Sequence, residues 1–68
     1  MAIAKVIEVI AEGDTIEQAI QNGLAEASKT IRSIRHIYVE GIQALVSDDA
    51  ITTFRVNAKV TFVVDDGA

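Results

Sequence analysis

The feature that most constrains this chain is its last long apolar run, Ile51 to Val64 (ITTFRVNAKVTFVV). Phe54, Val56, Ala58, Val60, Phe62 and Val64 recur at every second position, with Thr53, Arg55, Asn57, Lys59 and Thr61 between them. A period of two predicts a strand with one face buried and the other turned away from the core. The buried face needs a cover. The opposite face is rich in hydrogen-bonding groups, and what meets it is the functional question.

Sixty-eight residues predict a single domain over residues 1–68. A domain of this size buries only about 60% of its unfolded surface, so a lone copy is marginal. Small domains compensate with disulfides, a structural metal or self-association. With no cysteine and one histidine, disulfides and thiolate or histidine metal cages are excluded, which leaves self-association. Half of the residues are apolar, a surplus that must be hidden somewhere. The net charge of −4 argues against nucleic acid, which needs a basic footprint. No apolar run is long enough to span a bilayer. Ala2 to Ala11 carries Lys5 and Glu8 and is too short for a signal-peptide core. The expectation is a cytoplasmic protein without a membrane partner.

Ala2 to Ala11 (AIAKVIEVIA) predicts a strand that is apolar on both faces. One sheet covered by one helix does not explain an apolar outer face. Asp14 with Glu17, or Thr15 with Gln18, has capping-box spacing. Ile16, Ala19, Ile20, Leu24, Ala27, Ile31 and Ile34 follow in steps of three and four. They predict a helix from about Thr15 to Ser33, with Lys29, Arg32 and Arg35 crowding its last turns. His36 to Val46 (HIYVEGIQALV) predicts a second strand, whose phase breaks at Gly41 as at a bulge. Ser47-Asp48-Asp49-Ala50 predicts the turn of a hairpin with the closing strand, and Asp65 to Ala68 a polar tail. The fold class is α+β, in the order β-α-β-β: a three-stranded antiparallel sheet wrapped on one long helix. By parity, His36, Tyr38, Glu40, Arg55, Asn57 and Lys59 share the face away from the helix.

No catalytic motif accompanies these elements. The four glycines are scattered, and His36 has no acidic partner at triad spacing. The chain therefore reads as a non-enzyme. Asp48-Asp49 and Asp65-Asp66 are carboxylate pairs of the type hard cations take, but lack the further oxygen donors of a calcium loop. They read as solvated surface rather than a metal site. His36 and Arg55, on paired strands, are expected near each other on the outer face.

Four segments together resemble the dodecin family: KVIEVI (Lys5 to Ile10), AIQNGLAEASKTIRSI (Ala19 to Ile34), IYVEGIQALV and TTFRVNAKVTFVV. Their order and spacing carry the resemblance. It implies a hollow homododecamer with sheets inward and helices outward, which would bury the outer face of the first strand. It also implies non-catalytic storage or sequestration of a flavin such as riboflavin or FMN. In the family, a tryptophan stacks on the flavin and a glutamine on the last strand reads its edge. Those positions fall at His36 and Arg55, and the chain has no tryptophan. The loop before the helix, Ala11-Glu12-Gly13, is one residue shorter than the family's. Imidazole stacks over less area than indole, so affinity is expected to fall by roughly tenfold to a hundredfold. Arg55 and Lys59 favour an anionic flavin such as FMN, and Arg55 donates but cannot accept from a ring N–H. The implied ligand-binding residues are His36, Arg55, Tyr38 and Lys59. The alternative is a structural or ion-binding oligomeric shell that has lost the flavin.

Overall fold

The computed structural model describes residues 2–65, so Asp66, Gly67 and Ala68 of the polar tail lie outside the described residues. The elements are β1 (Ala2–Gly13), α1 (Ile16–Ala27), β2 (Ile34–Ser47) and β3 (Ala50–Asp65). β3 is central in an antiparallel sheet of order β1-β3-β2. The strand with the cleanest alternation thus has a neighbour on each side.

The apolar face of β3 lies under α1. Val56 and Val60 are the largest fully buried side chains, at 1% and 0% exposure, with Ala58 buried between them. Register carries this face to both neighbours: Ile7 pairs with Val60 and Val9 with Ala58 on β1, as Ile37 and Val39 do on β2. The helix packs mainly on β1 and β3. Its buried line is Ala19, Gly23 and Ala27, at steps of four, whereas Ile16, Ile20 and Leu24 flank it half-buried. Small residues bring the helix backbone close to the sheet. A Cβ on Gly13 would stand 2.5 Å from the Ala19 backbone nitrogen, so only glycine fits where β1 passes beneath the first turn.

Thr15 caps the helix, its hydroxyl accepting from the Gln18 amide at 3.0 Å. The helix ends at Ala27, six residues before the expected Ser33. The Ser28 hydroxyl donates to the Ala25 carbonyl, and Thr30 and Ile31 are β-branched poor helix formers. Turns then lead to Ser33, which adopts φ 61° and accepts at its carbonyl from the Val63 amide at 3.1 Å. That bond draws the chain back to the sheet, and Ile34 joins β2 opposite Phe62 rather than extending the helical stripe. Lys29, Arg32 and Arg35 accordingly lie beyond the helix, not in its last turn.

Ser47 pairs with Ala50, which makes a two-residue hairpin turn of Asp48 and Asp49, at φ 53° and 62°. Positive φ at both positions is the type I′ requirement. The hairpin outruns β1, whose pairing stops at Gly13 opposite Phe54. Its far end leaves Ile42, Val46 and Ile51 more than half exposed.

Candidate functional site

The sheet face away from α1 is organised in cross-strand rows, since residues directly opposite share a face. From one end they run Val6–Thr61–His36, Glu8–Lys59–Tyr38, Ile10–Asn57–Gly41 and Glu12–Arg55–Gln43. The expected outer-face set is therefore on one surface. The bulge expected at Gly41 is present: the register slips between Val39 and Gly41, leaving Glu40 as the extra residue. Its carboxylate lies 3.4 Å from the Lys59 ammonium. Lys59 also has Glu8 as its partner on β1.

His36, Tyr38 and Lys59 occupy adjacent rows. His36 and Tyr38 are both exposed, Tyr38 at 63%. Arg55 does not join them. It stands opposite Gln43, whereas His36 stands opposite Thr61, six residues further along β3. That separation is about 20 Å at about 3.4 Å of rise per residue. The expected proximity of His36 and Arg55 therefore fails within one chain. Alternation places residues on a face but leaves distance along the strand to the register.

The partner of Arg55 is Glu12. Arg55 Nε and Nη2 donate to Glu12 Oε2 at 2.9 and 2.7 Å, and the two side chains are 39% and 47% exposed. Glu12 is not in a loop: Ala11, Glu12 and Gly13 complete β1, which sets Glu12 directly across from Arg55. Its carbonyl accepts from Asn22 Nδ2 at 2.8 Å, and Asn22 Oδ1 accepts from Gln18 Nε2 at 2.7 Å. Reading Ala11-Glu12-Gly13 as a connection hid this partner; extending β1 by two residues puts Glu12 on the outer face, and only the register with β3 sets it across from Arg55.

The face thus pairs both of its strand-centre cations with carboxylates. Arg55 and Lys59 face Glu12, Glu40 and Glu8, so the local charge sums to −1 from those five groups. These carboxylates offset the cations on which a preference for an anionic ligand at Arg55 and Lys59 rests. Among the described residues no cluster of three or more His, Cys, Asp or Glu suits a metal ion, and no helix is long and apolar enough to cross a membrane.

A second concavity lies on the other side of the sheet, between the open edge of β1 and α1. It has a volume of about 550 Å³ and is lined by Ile7, Val9, Asn22, Glu26, Ala27 and Ile31 among others. It contains none of the expected site residues.

The fold is shared with solved dodecin structures. A variant of the Thermus thermophilus dodecin superposes with TM-score 0.90 at 25% identity, covering 97% of this chain and 100% of that one. Dodecin from Streptomyces davaonensis gives 0.89 at 26% identity, covering 96% and 97%. Dodecin from Streptomyces coelicolor gives 0.90 at 24% identity, covering 97% and 96%. No curated protein matches the chain. The Dodecin family model matches residues 3–65, which takes in all three strands and the helix. The chain belongs to the Dodecin family.

Proposed function

We propose that this protein is a non-enzymatic homo-oligomeric flavin binder, a homododecamer, that stores or sequesters its ligand on the outer sheet face. Dodecins are small oligomeric flavin-binding proteins, and membership carries that class to this chain. The observation that supports the site is the outer face itself. α1 leaves it open, and it carries an aromatic, an imidazole and two ion-paired cations spread over four rows. His36 and Arg55 are too far apart in one chain to hold one ring system. A ligand touching both is held between copies.

Binding is weaker than in a tryptophan-bearing dodecin, because His36 offers less stacking surface. With Arg55 and Lys59 already neutralised, the phosphate of FMN gains little. The test is fluorescence titration of the purified protein with riboflavin and with FMN, with assembly mass measured by light scattering on the same sample. The expected result is saturable quenching by a particle of about twelve chains, and dissociation constants for the two flavins within about threefold of each other. Tenfold tighter FMN would return the cations to the site as free charges. No binding of either flavin to an intact oligomer favours the other reading, a structural or ion-binding shell.

A further inference from the structure

The free end of the β2–β3 hairpin is a wedge. Val46 and Ile51 pair across it at 65% and 58% exposure, Ser47 and Ala50 close it, and Asp48 and Asp49 form its point. From Gly41 to Phe54 the hairpin carries no other charged residue. β1 stops at Gly13 opposite Phe54 and gives this end no cover. Its sides are apolar and its point is acidic.

The opposite end of the sheet holds a hollow of complementary character. It has a volume of about 330 Å³ and is lined by Ile31, Arg32, Phe62 and Val64 among others. Arg32 and Arg35 are exposed, and no carboxylate among the described residues pairs with either. The other charges at this end cancel in number: Lys29 holds Glu26 at 3.1 Å, and Lys5 and Asp65 stand on the adjoining strand ends. Among the described residues the surplus is therefore two positive charges, against two negative ones on the hairpin.

Wedge and hollow cannot meet within one chain. Ala50, just behind the turn, and Val63, whose amide donates to the Ser33 carbonyl beside Arg32, are thirteen residues apart on β3. That is a path of about 44 Å at about 3.4 Å per residue. We propose that the Asp48–Asp49 tip of one copy docks in the Arg32 hollow of the next. Val46 and Ile51 pack against Ile31, Phe62 and Val64, and the two aspartates meet Arg32 and Arg35. This rests on the homo-oligomeric reading above. Each copy gives one tip and offers one hollow, so in a closed assembly every copy is engaged at both ends.

The test is a double-variant cycle, read as the urea concentration at which the assembly mass falls, by light scattering at one protein concentration. Asp48→Asn with Asp49→Asn removes the charge of the tip and keeps the turn, since asparagine also takes positive φ. Arg32→Glu with Arg35→Glu reverses the charge at the hollow. Each pair should lower the midpoint. The arginine reversal should shift it at least roughly twice as far in the wild-type background as in the asparagine background, where glutamate no longer faces aspartate. If the reversal alone dissociates the protein outright, adding the asparagine pair should restore assembly. Unchanged midpoints, additive shifts or failed restoration each overturn the contact while leaving the homo-oligomer standing. A wild type that scatters as a monomer overturns the oligomeric reading, and this contact with it.

Discussion

At the scale of single residues, two positions decide more than their size suggests. Gly13 is where β1 slides under α1, and any side chain there meets backbone rather than a movable side chain. Gly13→Ala is expected to destabilise the fold by about 1–3 kcal/mol through overpacking. A fall in the denaturant midpoint at unchanged slope checks it; an unchanged midpoint would show that the helix can lift away freely. His36 is the other. His36→Trp restores an indole at an exposed position opposite Thr61, where nothing in the register obstructs a larger ring. It should tighten flavin binding by roughly tenfold to a hundredfold, at the stacking energies measured for aromatic platforms. If affinity is unchanged in an intact oligomer, the ligand does not lie on His36.

At the scale of elements, the hairpin turn is a weak link that chemistry can improve. Asp48 and Asp49 both hold positive φ without being glycine, in a turn type that prefers Asn-Gly. Asp49→Gly is expected to raise stability by up to about 1 kcal/mol, since glycine takes this region without a Cβ penalty. Thermal unfolding of the variant checks the sign. The same hairpin shows where sequence reading succeeds. Strict alternation in β3 is physical evidence of burial on one side, and the phase break at Gly41 is evidence of a bulge. Both were legible because a period of two leaves little freedom. The end of α1 was not legible, because Ile31 and Ile34 continue the helical spacing while serving a turn and a strand. The Arg55–Glu12 pair was hidden for a related reason. A short polar stretch before a helix reads as a loop unless the register of the partner strand is known, and register is a long-range property.

At the scale of the whole molecule, the chain is spread rather than packed. Its radius of gyration is 14.3 Å, against about 11 Å for a compact domain of this length. Its accessible surface is 4895 Å², against about 4,200 Å² for a compact monomer of its mass. The excess includes Ile42, Val46 and Ile51 on the hairpin and Val6 and Ile10 on the outer face of β1. Apolar exposure on this scale fits a subunit that finishes its core against copies of itself. Val46→Lys together with Ile51→Lys should lower the assembly mass measured by light scattering, because burying a lysine ammonium costs far more than burying a valine. A variant that keeps the wild-type mass places the contacts elsewhere.

Among the described residues, only Val56 and Val60 of the large side chains are fully buried by the chain's own fold. A core that thin ties unfolding to dissociation, so the melting temperature becomes a property of the solution as well as of the molecule. Dilution should lower it, by mass action, with no change in sequence, pH or salt. For an oligomer of such subunits, the first step in losing structure is expected to be the departure of a neighbour, and slow unfolding at low concentration would time that departure rather than the melting of a helix.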